Sequence, residues 1–149
     1  MSIRRARYDD IPAMANLLSE LFTIEDDFAI DIEKQSHGLK LLLDTENAIV
    51  LVAQEEENVI AMATVQKLVS TAIGEYVGLI EDVIVHEAYR GKGIGKSLLE
   101  ELITESEIAG LKRLALGADH RNHNAIAFYE KFGFTTSQMG LMYFFHHIP

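Results

Sequence analysis

Seven residues, Arg90-Gly91-Lys92-Gly93-Ile94-Gly95-Lys96, carry the densest chemical signal in this 149-residue sequence. An apolar run precedes them and an amphipathic stretch follows, so they read as the loop between a strand and a helix. Glycine lets the backbone approach a ligand closely and adopt dihedrals that other residues avoid. A helix start adds unpaired N–H groups and the positive end of the helix dipole. Together they form an anion site. Arg90, Lys92 and Lys96 place three cations there on a chain of formal net charge −10. That local reversal of sign points to a phosphate ligand. Two familiar phosphate patterns fail on spacing. A P-loop ending in Gly95-Lys96-Ser97 needs glycine where Arg90 stands, and a dinucleotide fingerprint starting at Gly91 needs glycine where Lys96 stands. What fits is Arg-x-x-Gly-x-Gly.

The run just before it, Leu79-Ile80-Glu81-Asp82-Val83-Ile84-Val85, sets two adjacent carboxylates in an apolar strand. Alternation predicts Leu79, Glu81, Val83 and Val85 on one face and Ile80, Asp82 and Ile84 on the other. Both faces are otherwise apolar, so the strand is expected to be buried on both sides. Two carboxylates there are costly without a purpose, and burial raises their pKa toward a range useful for proton transfer. Glu81 is the first candidate for a base and Asp82 the second. The plain alternative is a pair at the strand's exposed entry, or bonded to backbone. His120 and His123 are three apart and His146 and His147 adjacent, with no carboxylate at a recognised metal spacing, so no metal site is expected. The sequence has no cysteine, which excludes disulfides, thiolate metal sites and a cysteine nucleophile.

The elements that must position these residues follow from periodicity. Ile3 to Arg7 reads as a strand. Asp10 is an expected N-cap, with Pro12 in the first turn of a helix to about Leu21. A second helix is expected from Asp31 to Leu43. Ala48–Ala53, Val59–Val69 and Tyr76–Val85 are strand-like, with links too short for crossover helices, so an antiparallel meander is predicted. Ile94, Leu98, Leu99, Leu102 and Ile103 form one helical stripe ending near Ala109. Leu111–Gly117 reads as a strand, Asn122–Phe132 as a helix, and Phe134 and Leu141–His146 as the last strands. The unit from Tyr76 to Gly117 predicts a parallel strand pair with a right-handed crossover. The fold class is α/β (α+β): a mixed, mostly antiparallel sheet of about seven strands, flanked by four helices, in a single domain over residues 1–149.

With strand, glycine turn and helix in that order, the sequence resembles the GNAT superfamily of N-acetyltransferases. The family's pyrophosphate motif is Gln/Arg-x-x-Gly-x-Gly/Ala, matched by Arg90 to Gly95. A second family element, Asn-x-x-Ala and then an aromatic helix ending in Gly-Phe, is matched by Asn122 through Phe134. The specific motifs cover about residues 79–134, and the order of elements fits nearly the whole chain. The resemblance implies acetyl-CoA as acyl donor, with its diphosphate on the backbone N–H groups of Arg90, Gly91, Lys92, Gly93, Ile94, Gly95 and Lys96. It implies pantetheine along the strand ending at Val85, bonding the backbone near Val83 and Val85 in a V-shaped opening where that strand splays from the next. It implies Tyr129 as general acid toward the coenzyme sulfur, where the residue types alone suggest a core aromatic. Asn122, or else Asn124, is implied as a pantetheine contact, against simple helix capping. Lys131 and Arg121 are candidates for the 3′-phosphate.

Acetyl transfer to an amine sets three demands. A lysine-like amine is only about 0.04% neutral at pH 7, so a base such as Glu81 helps. The oxyanion needs a donor, most simply the N–H near Val83. The leaving thiolate needs a proton. The expected reaction is direct attack in a ternary complex. The alternative is a catalytically silent acetyl-CoA sensor or interaction module of the same fold. Residues 1–80 hold six Lys/Arg against fourteen Asp/Glu. That excess, with Glu20, Glu25, Asp26, Asp27, Asp31 and Glu33 in the expected acceptor region, points to a cationic amine. The overall negative charge argues against nucleic acid. No apolar run has transmembrane length, and Met1–Arg7 lacks a signal peptide's apolar region, so a cytoplasmic protein with no membrane partner is expected. The apolar run Leu141–Phe145 is a possible homodimer contact.

Overall fold

The computed structural model describes residues 1–24 and 30–146. They fall into two compact units, Met1–Leu116 and a second from Gly117 onward. In the first, strands β1 (Ser2–Arg5), β2 (Ala48–Glu55), β3 (Asn58–Ser70), β4 (Glu75–Val85) and β5 (Leu114–Leu116) form one sheet in chain order. Helices α1 (Ile11–Ile24), α2 (Ile32–Asp44) and α3 (Ile94–Ile108) lie against it. The first three junctions are antiparallel and β4–β5 is parallel, as short links and a helical crossover require.

One apolar stripe fixes α1 and α2 on the sheet. Met14, Leu17 and Leu18 of α1 and Leu39 of α2 are buried with Val50, Val52, Met62 and Ile84. Burying each such side chain contributes about 1.5–3 kcal/mol. The residues alternating with these, Leu51, Ala61, Ala63 and Val65, are buried too, so the second face also needs a cover. The expected stripe of α3 supplies it: Leu98, Leu99 and Leu102 are fully buried, and α3 lies along β2, β3 and β4.

The start of α1 differs in detail from expectation. Asp10 does not cap the helix ahead of it. Its carboxylate reaches back to accept the Arg7 N–H at 2.7 Å and two Arg4 guanidinium bonds at 2.8 and 3.0 Å. Those Arg4 bonds hold the buried Asp10 carboxyl below its ordinary value. Asp31 does cap α2, accepting the Lys34 N–H.

Gly78 lets β4 and its neighbours pack. A Cβ there would stand 2.6 Å from Val65 Cγ2 and 2.8 Å from Leu114 Cδ2. β5 is shorter than predicted, because Leu111 still bonds Ser106 at the helix exit while Lys112 and Arg113 bond Tyr76 and Gly78 of β4.

In the second unit, α4 (His123–Glu130) is capped by the Asn122 side-chain oxygen, which accepts the Ala125 N–H at 3.1 Å. Phe128, Tyr129, Phe132 and Phe134 make edge-on ring contacts. The strands expected at Phe134 and Leu141–His146 are not formed. The described residues contain five strands rather than about seven, and Leu141 to Phe145 are exposed. Apolar character marks a segment for burial, but a strand exists only where a neighbour supplies ladder bonds. Among the described residues, the backbone of 135–146 makes no backbone–backbone bond. No described helix is long and apolar enough to cross a membrane.

Candidate active site

β4 ends at Val85, a 3-10 turn spans Glu87–Tyr89, and Gly93 is the N-cap of α3. Gly91 and Gly93 have φ of +77° and +79°, which penalises a residue with a Cβ by about 1–2 kcal/mol. Nothing lies within 4 Å of where either Cβ would stand, so the outer side of the turn is open. The first bond of α3 runs from the Ser97 N–H to the Gly93 carbonyl at 3.1 Å. Ahead of it, Ile94, Gly95 and Lys96 present the amides that a helix start leaves unpaired.

The three cations divide. Arg90 is committed within the chain. Its Nε donates to the Val85 carbonyl at 2.9 Å, and its guanidinium lies 3.6 Å from a Glu20 carboxylate oxygen on α1. His86 Nε2 lies 3.5 Å from the other Glu20 oxygen. Lys92 rests 5.3 Å over the Tyr89 ring, and Lys96 is 4.0 Å from Glu100. Both lysines are exposed. A cavity of about 310 Å³ beside the turn is lined by Met1, Glu55, Tyr89, Lys92 and Ile94. Neither Glu81 nor Val83 borders it, so it adjoins the anion turn and not the carboxylates.

β4 pairs with β5 only at Gly78–Ile80. From Glu81 to Val85 it continues beside β3 alone among the described residues. In that stretch the register slips: Ile84 stands opposite Met62, yet Glu81 stands opposite Thr64. β4 therefore carries one extra residue, and Asp82 takes φ of +55°. This is a β-bulge. Thr64, fully buried, donates its hydroxyl to the Glu81 carbonyl at 2.8 Å.

The bulge overturns the predicted alternation. Opposite residues share a face, so Glu81 and Ile84 lie together on the side of α1 and α2, and Val85, opposite Ala61, lies on the other. The expectation of burial also fails at Glu81, which is exposed, while Asp82 and Val83 are half-buried. An exposed carboxylate needs no special purpose to explain it. Glu81 is a candidate by its place at the open edge, not by a desolvated charge.

Among the described residues no three His, Asp or Glu side chains gather into a metal-sized cluster. Comparison with known proteins decides the family. The model of the acetyltransferase (GNAT) family matches residues 11–134. The chain belongs to this family. An uncharacterized N-acetyltransferase of Bacillus subtilis, YhfO, is 26% identical over 149 residues, 100% of this chain and 99% of that protein. The crystal structure of a transcriptional regulator from Bacillus halodurans C-125 superposes with a TM-score of 0.85 at 27% identity, covering 97% of this chain and 99% of that one. Glucosamine 6-phosphate N-acetyltransferase of Trypanosoma brucei brucei is 41% identical over 61 residues, 41% of this chain and 40% of that protein. The class of activity follows from the family: an acyl-CoA-dependent N-acetyltransferase, for which acetyl-CoA is the usual donor.

Within this GNAT chain, the first unit brings together Glu81, Val83, Val85 and Arg90 through Lys96 on one strand and the turn that leaves it. Asn122 and Tyr129 belong to the second unit. Asn122 acts there as the cap of α4, and its NH₂ is a separate donor pair. Three features escape sequence reasoning: the bulge at Asp82, the Thr64 bond, and Glu20 as partner of Arg90. Only Thr64 leaves a trace, as one hydroxyl in the apolar run Ile60-Ala61-Met62-Ala63-Thr64-Val65.

Proposed function

We propose that this GNAT protein binds acetyl-CoA with its diphosphate on the turn from Arg90 to Lys96 and its pantetheine along β4 at Val83 and Val85, and that a primary amine attacks the bound thioester directly. One observation carries the reading. The ladder between β4 and β5 ends at Ile80, and β4 runs on to Val85 and into a turn with two left-handed glycines at a helix start. An extended amide-bearing arm can add to such an edge as a strand would, and a diphosphate can accept the amides at its end. When bound, the donor supplies an activated acetyl group and a thiolate leaving group.

The chain's own groups do the rest. Glu81 takes the proton of the incoming ammonium, directly or through a water. The N–H of Val83 stabilises charge on the carbonyl oxygen. Tyr129 returns a proton to the departing sulfur, a role resting on the family likeness alone, and Asn122 contacts the pantetheine through its NH₂. The absence of cysteine, and hence of a thiol nucleophile, favours direct attack. The family match crosses from the first compact unit into the second, which supports one acetyltransferase domain over residues 1–149.

For the acceptor we favour a cationic amine, from the acidic balance of residues 1–80. The support is narrower than the sequence suggested. Glu20 faces Arg90 and Asp31 caps α2, and Glu25, Asp26 and Asp27 lie outside the described residues. The exposed run Leu141–Phe145 favours a homodimer, which sedimentation at graded concentration tests.

The deciding experiment pairs calorimetry of acetyl-CoA with a thiol-release assay over polyamines, amino sugars and neutral amines. Saturable binding and turnover, fastest on polycations and weakened by salt, are expected. Equal rates on neutral amines, indifferent to salt, remove the cationic acceptor. Binding without turnover on any amine favours the sensor, and no binding heat at millimolar acetyl-CoA refutes the reading as a whole. Glu81→Gln should lower kcat by about 10²–10⁴ while leaving acetyl-CoA affinity unchanged.

A further inference from the structure

Thr64 lies on β3, outside every motif that identifies the family, and has no exposed surface. A buried hydroxyl is costly unless it is hydrogen-bonded. Valine has the same shape and suits a strand at least as well, so packing alone does not account for threonine here. What accounts for it is the acceptor. The Thr64 Oγ1–H donates to the carbonyl of Glu81 at 2.8 Å, at the point where β3 and β4 lose register and one residue before Asp82 turns to φ of +55°.

The peptide plane is rigid, so fixing the Glu81 carbonyl fixes the whole Glu81–Asp82 peptide. That peptide is the first half of the bulge. An extra residue disrupts the regular ladder locally, and a side-chain bond at this place holds what the ladder does not. Glu81 itself is exposed, and among the described residues no ion pair or side-chain hydrogen bond holds its carboxylate. The point from which its side chain departs is set by its backbone, and the carbonyl of that backbone is held by Thr64.

We infer that Thr64 is a positioning residue: its hydroxyl pins the β4 bulge and so places Glu81 toward the incoming amine and the Val83 amide toward the reacting carbonyl. The inference rests on the acetyl-transfer reading for its catalytic consequence. The pinning itself is independent of that reading. Thr64 touches neither donor nor acceptor, and the turn from Arg90 to Lys96 does not depend on it.

The test compares Thr64→Val, which removes the hydroxyl at constant shape, with Thr64→Ser, which keeps it. The expected result for Thr64→Val is a 10- to 100-fold fall in kcat with a much smaller change, within about fivefold, in the calorimetric Kd for acetyl-CoA, whose diphosphate contacts on the turn are untouched. Thr64→Ser should stay within threefold in both. Amide hydrogen exchange should rise at least tenfold at Asp82 and Val83 in Thr64→Val, with Gly78 to Ile80 unaffected. If Thr64→Val does not fold, Thr64→Ser against Thr64→Ala, which differ by one hydroxyl, reads the same contrast. Parent-like kcat in Thr64→Val, equal loss in Thr64→Ser, or loss of acetyl-CoA binding along with kcat overturns the inference. So does unchanged exchange at Asp82 and Val83. A parent protein that binds no acetyl-CoA sinks the proposed function instead, and the exchange measurement still decides whether Thr64 holds the bulge.

Discussion

Replacing Gly93 by alanine separates backbone strain from ligand binding, because the molecule contains its own control. Gly93 has φ of +79° and Gly74, in the β3–β4 hairpin, has φ of +74°. At both, a Cβ would meet nothing within 4 Å, so neither substitution causes a clash. Each should therefore cost only the left-handed penalty, about 1–2 kcal/mol. For a chain of this length that lowers Tm by about 3–8 °C. The two diverge at the ligand. A methyl group on Gly93 occupies the open side of the turn, beside the amides of Ile94, Gly95 and Lys96, whereas one on Gly74 stands at the opposite end of β4. Loss of even one charge-assisted bond there, about 1.5–3 kcal/mol, weakens acetyl-CoA binding by roughly 10- to 100-fold. Melting curves and calorimetry on the two variants suffice. Equal falls in Tm, with weakened binding only in Gly93→Ala, are expected. If Gly93→Ala lowers Tm as Gly74→Ala does but keeps its acetyl-CoA Kd within twofold, the phosphate does not sit on this turn.

Other substitutions probe what holds the site. Gly78→Ala drives a methyl into Val65 and Leu114 and should destabilise by about 1–3 kcal/mol; a parent-like urea midpoint would contradict the close approach of β4 to its neighbours. Asp82→Gly removes a carboxylate and relaxes the positive φ at once, so it should retain kcat within threefold, whereas Asp82→Val should lose at least 1 kcal/mol of stability. A large fall in kcat for Asp82→Gly that Asp82→Asn shares would make Asp82, not Glu81, the base. Arg4 lowers the Asp10 carboxyl below its ordinary value of 3.8. A lowered carboxyl stabilises the fold above its unfolded-state value, and that stability is lost as pH falls through the folded-state value. Denaturant melts between pH 5 and 2 should show a loss on acidification below about pH 4 that is smaller in Asp10→Asn.

What was legible in the sequence is what local chemistry fixes. The glycine turn declares itself because positive φ and a helix start need particular residues within a few positions, and Gly91, Gly93 and the α3 stripe are all where the spacing predicts. The meander from Ala48 to Val85 follows from links too short to hold a helix. The bulge is not legible, because it arises from how β4 pairs with β3. Nothing in Glu81-Asp82-Val83 announces that Asp82 will turn left-handed, and one extra residue is enough to move Ile84 onto the face of Glu81. Arg90 shows the same limit. Its charge sits in a phosphate motif, yet its partner Glu20 lies seventy positions earlier on α1, where only the fold brings it. The C-terminal run fails in the opposite direction: Leu141 to Phe145 has the composition of a strand, but composition cannot supply the neighbouring edge.

The role of Arg90 bears on how the two ends of the proposed donor site are kept in step. A donor held at its diphosphate and reacting at its thioester is placed correctly only if the turn and the bulge keep a fixed separation. The link between them is short: β4 from Glu81 to Val85, the 3-10 turn, and then Gly91. A turn with two left-handed glycines is the least constrained part of it. Arg90 ties that part to the strand by bonding the Val85 carbonyl, and Glu20 ties Arg90 to α1, which is anchored through Met14, Leu17 and Leu18 on the face that carries Ile84 and Glu81. The arginine in this motif thus serves the geometry between two ligand contacts more directly than it serves the phosphate. The same logic applies at the other end, where Thr64 holds the bulge. One polar bond secures each end of the track, and both bonds are made to backbone carbonyls of β4, at Glu81 and Val85.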